Sequence, residues 1–275
     1  MALFGKLFEK KNCSICGEEI GLLGNRKLSD GNCCKTCAGK LSPWFRDRKD
    51  STVEQIKGQL EYRARNAEEL RSFDVAQIIG ECQKMYVEKK NGIPSRFFIT
   101  DESDYLDGNP DIISFTDVMS CSVDIDEREE ELMRENKDGE EVSYNPPRFQ
   151  YHYDFYIDMV IRNNPYFDAI RFNVNDEDVT LEKVRAARPS MEERRGGMVQ
   201  PAMRNPAINR DEDRYREYEQ MCRMIVQTVE DARNGAQAQV EAEEAAEAAI
   251  PAVCPACGAP TDGSWFCQFC GTRLG

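Results

Sequence analysis

The sequence predicts an α+β protein in which small cysteine-built ribbons at both ends flank a central antiparallel β domain closed by a C-terminal amphipathic helix. Three observations lead there. Cysteines gather in CxxC pairs near each end, the middle of the chain alternates apolar and polar residues, and the last long apolar stripe has helical spacing.

Near the N-terminus, Cys13 and Cys16 are followed by Cys33, Cys34 and Cys37. Two cysteines separated by two residues put their sulfurs on one side of a tight turn. A second such pair completes a tetrahedron around one metal ion, which is the layout of a structural four-cysteine zinc ribbon. Pairing Cys13/Cys16 with Cys34/Cys37 gives halves of equal length and makes Cys33 surplus, although the two adjacent thiols leave open which one binds. Cys254, Cys257, Cys267 and Cys270 repeat the pattern near the other end, each pair followed by glycine, Gly258 and Gly271. Two structural Zn2+ ions are expected, with all eight sulfurs committed and no coordination position left for a catalytic water.

The run MALFGKLFEKK, then CSICGEEIGLLGNRKLSDG and CKTCAGKLSPWF, resembles a bacterial family of uncharacterised proteins that begin with such a ribbon. The likeness extends through DSTVEQIK and NPDIISFTDV into the middle of the chain. The resemblance implies a zinc-binding N-terminal module, a β-rich central domain and no assigned activity, with Cys13, Cys16, Cys34 and Cys37 carried over as ligands. The last 25 residues likewise resemble the small zinc ribbons found at the ends of many bacterial proteins.

Taken in order, the first ribbon occupies residues 1–50. Leu3, Phe4, Leu7 and Phe8 fall at helical spacing beside Lys6, Lys10 and Lys11, so residues 1–11 either pack on the ribbon or form a foot for an anionic membrane surface. Gly17 suits a left-handed turn after the second cysteine, whereas Ala38 in the matching place makes the other knuckle different. IGLLG and NRKLSDG read as a short hairpin, and Trp44 and Phe45 are expected to cover the ribbon's apolar side. Ser51 with Glu54 forms a capping-box pattern ahead of Val53, Ile56, Leu60, Ala64, Ala67 and Leu70, predicting a connecting helix within 51–75.

The β-rich domain is placed at 76–234. Met85-Tyr86-Val87 and Phe97-Phe98-Ile99 flank Asn91-Gly92, a hairpin pattern, and the odd positions from Phe149 to Ile161 are all apolar or aromatic. Ile170, Phe172 and Val174 continue the alternation on a return strand. Asp126 to Pro147 reads as an acidic extended hairpin, and the arginine-rich stretch 184–213 as a disordered insert. Tyr215, Tyr218, Met221, Cys222, Ile225, Val226, Val229 and Ala232 then form a helical stripe that needs a sheet to cover. Strands closed by one terminal helix match the element order of a pleckstrin-homology-like barrel, an analogy of order alone. Residues 235–250, rich in Ala and Glu, are a helical linker to the second ribbon at 251–275.

Composition narrows the function. The 275 residues carry a net charge of −14, yet residues 1–50 hold ten Lys/Arg against six Asp/Glu, a net of +4. So acidic a chain repels phosphate backbones at long range, and nucleic acid enters only as a second reading through the basic residues of 26–48. The first residues lack the apolar core of a secretory signal, no run is long enough to span a bilayer, and CxxC pairs without a signal favour zinc thiolates in a reducing cytoplasm. One histidine, His152, leaves little material for acid–base triads. The expectation is a non-enzymatic adaptor of the bacterial cytoplasm that binds a protein partner, with peripheral attachment to the inner membrane face as a further reading.

Overall fold

Short hairpins alternate with cysteine turns in the first ribbon, around a small core in which Leu28 and Leu41 join the cysteines. In the computed structural model, which describes residues 11–184, 206–248 and 251–274, β1 (Lys11–Asn12) pairs antiparallel with β2 (Glu19–Ile20). β3 (Arg26–Lys27) pairs with β4 (Asn32–Cys33), and a single helical turn, α1 (Lys35–Ala38), follows. The Ser29-Asp30 turn closes the second hairpin through Leu28 N–H donating to Gly31 C=O. IGLLG is not part of a hairpin: after Ile20 it becomes a tight loop, closed by Gly24 N–H on Gly21 C=O.

Helix α2 (Val53–Leu70) leaves the ribbon one residue later than the sequence pattern suggested. Thr52, not Ser51, is its cap: Thr52 Oγ1 accepts from Gln55 N–H while Gln55 Oε1 accepts from Thr52 N–H, a reciprocal capping box. Its buried face also differs from the apolar repeat. Ala64 is exposed, and the inward stripe runs Ile56, Gln59, Arg63, Asn66, Leu70. Ile56 completes the ribbon's small core with Leu28 and Leu41, and Leu70 joins Phe73, Tyr86 and Phe98 in a second small cluster. Two polar residues of the stripe are paired with the segment 109–112: Arg63 donates to Asp111, and Asn66 donates to Asn109 and Pro110 and accepts from Ile112 N–H, whereas the Gln59 amide is buried without a hydrogen bond.

Two antiparallel sheets follow. In the first, β5 (Gln77–Ile79), β6 (Lys84–Lys90), β7 (Ile93–Thr100) and β8 (Ile113–Ser114) lie in sequence order, with the short α3 (Tyr105–Gly108) between the last two. β6 and β7 turn on Asn91 and Gly92, both at positive φ, 53° and 82°, so that Lys90 faces Ile93 across a two-residue turn. The second sheet is built on a long hairpin, β9 (Val118–Glu135) and β10 (Glu141–Ile161), turning through Asn136 to Glu140. β11 (Ala169–Asn173) and β12 (Val179–Val184) share the other edge of β10, one along 156–160 and the other along 148–153. Among the described residues the outer edge of β9 pairs with no strand.

The inward residues of both sheets form one core, with Met85, Phe97, Phe155, Ile157 and Phe172 essentially without exposure. Helix α4 (Pro206–Ala248) lays Tyr218, Cys222, Ile225, Val229 and Ala232 into it, which is the stripe expected from the sequence. The helix itself is longer than expected. It takes in residues 206–213, assigned to the disordered insert, and runs without a break through 235–248, assigned to a separate linker. Proline is tolerated at a helix start because its missing N–H is unpaired there anyway, and Arg216 reaches Glu212 and Asp213 one turn back. Val184, also assigned to the insert, ends β12, and the rest of it, 185–205, lies with residues 1–10 outside the described residues. Trp44 also departs from expectation: it packs on the main core of the sheets, while Phe45 alone covers the ribbon. The whole is a mixed α and β structure with cysteine clusters near both termini and a C-terminal helix. Among the described residues no helix is long and apolar enough to cross a membrane.

Candidate metal centres

Each cysteine pair sits on a turn whose backbone aims donors at sulfur. In the first ribbon Cys13 N–H donates to Glu18 C=O and Gly17 N–H to Cys13 C=O, which curls residues 13–18 into a knuckle. Gly17 completes it at φ 81°, a conformation that costs a residue with a Cβ far more than glycine. The same pair of hydrogen bonds recurs twice in the second ribbon, Cys254–Ala259 with Gly258–Cys254 and Cys267–Thr272 with Gly271–Cys267. The remaining knuckle is the expected exception. There Cys34 caps α1, its sulfur accepting from Cys37 N–H at 3.3 Å, and Gly39 stays right-handed.

These turns bring together the sulfurs of Cys13, Cys16, Cys34 and Cys37, all within 4.8 Å of one another, and likewise those of Cys254, Cys257, Cys267 and Cys270. Neighbouring sulfurs stand 3.8 Å apart at Cys16–Cys34, 3.7 Å at Cys254–Cys270 and 3.6 Å at Cys257–Cys267. Four thiolates placed about 2.3 Å from a tetrahedral ion have edges of about 3.8 Å, so the donor set fits such an ion. A disulfide would require about 2.05 Å, and all of these cysteines are free. Each group could therefore hold one metal ion.

Cys34, not its neighbour, belongs to the first group. Cys33 is wholly buried in the ribbon core, its thiol turned to Cys34 C=O at 3.4 Å, and burial pushes that thiol up to about 11. It stays neutral and apolar in character. Cys13 goes the other way: burial raises it, but backbone amides at Cys16, Cys34 and Ile15 outweigh that and hold it down to about 6. One of those contacts is Cys34 N–H to Cys13 Sγ at 3.2 Å. Cys270 is lowered to about 6 by the hydroxyl and backbone of Thr272, the hydroxyl lying 3.2 Å from the sulfur. Their neighbours go the other way, Cys37 pushed up by burial and Cys257 by the sulfurs beside it, so within each cluster the hydrogen bonds favour one thiolate over the rest.

Other residues singled out in the sequence are dispersed. Arg26, Lys27 and Arg48 share an open groove of about 690 Å3 with Lys49, but Lys35, Lys40 and Arg46 do not line it. His152 sits on the second sheet with its Nδ1 2.7 Å from Asp178. Sequence reasoning passed over the C-terminal ribbon's aromatics. Trp265, Phe266 and Phe269 are 47%, 59% and 66% exposed, because the ribbon's own core is only Cys254, Cys267 and Leu274. The available signal was size: three aromatics in so short a segment exceed what it can bury.

Residues 11–59 match the model of a family described as a domain of unknown function (DUF4428), which spans the first ribbon and the opening turns of α2. No curated protein and no solved structure matches the chain.

Proposed function

We propose that the chain holds two zinc ions as structural elements, through Cys13, Cys16, Cys34 and Cys37 and through Cys254, Cys257, Cys267 and Cys270, and acts as a non-enzymatic adaptor that binds a protein partner. Zinc would reinforce the small core of the first ribbon and stand in for the larger one that the second lacks. With four thiolates per ion, no position remains for water or substrate. The observation that carries the partner reading is the exposed aromatic surface of Trp265, Phe266 and Phe269 on a ribbon whose Asp262 and Arg273 cancel. Aromatic anchors without a charged field suit the centre of a protein interface better than nucleic acid. The test compares proteins captured by the native chain and by Trp265→Ala/Phe266→Ala/Phe269→Ala at equal zinc content. A partner lost with the aromatics supports the reading, and identical capture by both removes it.

A pleckstrin-homology-like central domain and a place in the bacterial cytoplasm belong to the same reading. The first is supported by two antiparallel sheets followed by a helix that packs into their shared core, the second by free, paired thiols. The groove of Arg26, Lys27, Arg48 and Lys49 supports a second reading, nucleic-acid binding, which steep loss of binding with salt would support.

A further inference from the structure

The two most exposed large apolar side chains among the described residues are adjacent. Leu22 is 79% and Leu23 89% exposed, on the Gly21–Gly24 loop at the tip of the first ribbon. The loop is not slack: Gly24 N–H closes it on Gly21 C=O, and Arg26 Nη1 donates to Leu23 C=O at 3.3 Å. That contact ties the apolar tip to the groove, where Arg48 Nη1 in turn donates to Lys27 C=O at 2.9 Å and Lys49 lines the same wall; four cations there outnumber the one carboxylate, Asp50. β1 begins at Lys11, whose cross-strand partner is Ile20, the residue before this loop. The acidic Glu18 and Glu19 precede Ile20, back toward the Cys13 knuckle.

We infer that this tip docks on an anionic lipid bilayer, with Leu22 and Leu23 entering the headgroup–acyl boundary while Arg26, Lys27, Arg48 and Lys49 face the acidic headgroups. Two aliphatic side chains held out by a closed loop and collared by cations match the chemistry of such an interface. Phosphate backbones would use the cations but leave the leucines in water. A net of +4 in residues 1–50 of a chain at −14 also orients this end, and not the acidic remainder, toward a negative surface. The inference adds a membrane surface to the adaptor reading and rests only on the first ribbon being folded around its ion.

The test sediments the full zinc-loaded chain with vesicles of pure phosphatidylcholine and with vesicles carrying one-third phosphatidylserine. Zinc content and melting are measured in every sample, so that a ribbon that fails to fold is separated from one that folds and does not bind. The expected result is partitioning onto the anionic vesicles alone, weakened by salt. Leu22→Ser/Leu23→Ser should lower it about tenfold or more, and Lys27→Glu/Lys49→Glu by about fivefold per lysine. The inference is overturned if the native chain ignores anionic vesicles, or if only deletion of residues 1–10 removes binding while the leucine pair changes nothing. Retention of a polynucleotide that depends on the lysines and not on the leucines, without vesicle binding, overturns it as well and gives the groove to nucleic acid.

Discussion

Arg63 Nη1 donates to Asp111 Oδ1 at 2.8 Å, and the two side chains are 7% and 0% exposed. The second carboxylate oxygen of Asp111 accepts from Ser42 Oγ at 2.7 Å, and Arg63 Nε reaches Lys40 C=O. One ion pair therefore ties α2, the edge of the first ribbon and the approach to β8.

Breaking that pair from one side leaves a charge in a dry site. Arg63→Ala or Asp111→Ala should each cost about 3–5 kcal/mol in urea unfolding, whereas replacing both with apolar residues of similar volume should cost much less than either alone. Equal losses for single and double substitutions would show that packing, not the charge, dominates.

The adjacent thiols have different fates. Cys33→Ala should retain two zinc ions per chain, and Cys34→Ala should retain one, as read by metal analysis of the native protein. The buried, neutral Cys33 contributes packing, while Cys34 supplies both a sulfur and the cap of α1.

Chelation should unfold the ribbons first. Backbone amides at Gly17, Leu28 and Ala38 lose protection from hydrogen exchange, while those of β6, β7 and β10 keep it, because the sheets hold a core of their own. The start of α2 should loosen with the first ribbon, since Ile56 belongs to that core and Val53 N–H is held by Asp30 Oδ1.

Glu88 on β6 faces Arg96 on β7 through two hydrogen bonds, 2.7 and 2.9 Å, and the hydrogen-bonded Arg96 holds its carboxyl below the usual range. A lowered folded-state value means stability that is present above the unfolded glutamate value of about 4.3 and is lost as pH falls through the folded one. Glu88→Gln should thus cost about 2 kcal/mol near pH 7, with the difference from the native chain closing in acid below about 4.3. A gap that stays constant into acid would contradict this.

Gly92→Ala should cost about 1 kcal/mol, since its φ of 82° penalises any Cβ, and a melt of the variant reads the loss directly.

Much of this was legible in the chain. Asn91-Gly92 fixes the β6–β7 register because few residue pairs accept two consecutive positive φ values, and the odd positions from Phe149 to Ile161 announce a strand with one dry face. The cysteine spacing placed both clusters and favoured Cys34 over Cys33, and the geometry brings Cys34 into the group. What stayed hidden shares one cause: it depends on contacts distant in sequence. Gln59, Arg63 and Asn66 look like solvent residues until Asp111 and Asn109 meet two of them some 43 to 48 positions later. Trp44 reads as a ribbon residue until a sheet arrives beneath it. Leu22 and Leu23 look like interior strand residues, and no local pattern says that the ribbon is too thin to enclose them.

Among the described residues the outer flank of β9 has no partner strand, which bears on self-association. Arg233 occupies only its first carbonyls, those of Val118 and Met119. Among the described residues no strand covers this edge from Asp124 onward, beside Asp126, Glu127, Glu129, Glu130 and Glu131. Two copies brought rim to rim would press these carboxylates together, so the acidity that sequence composition registers as surplus charge acts here as a guard against sheet growth. Neutralising it, by acid or by substitution, would remove the repulsion and leave a ready template for aggregation.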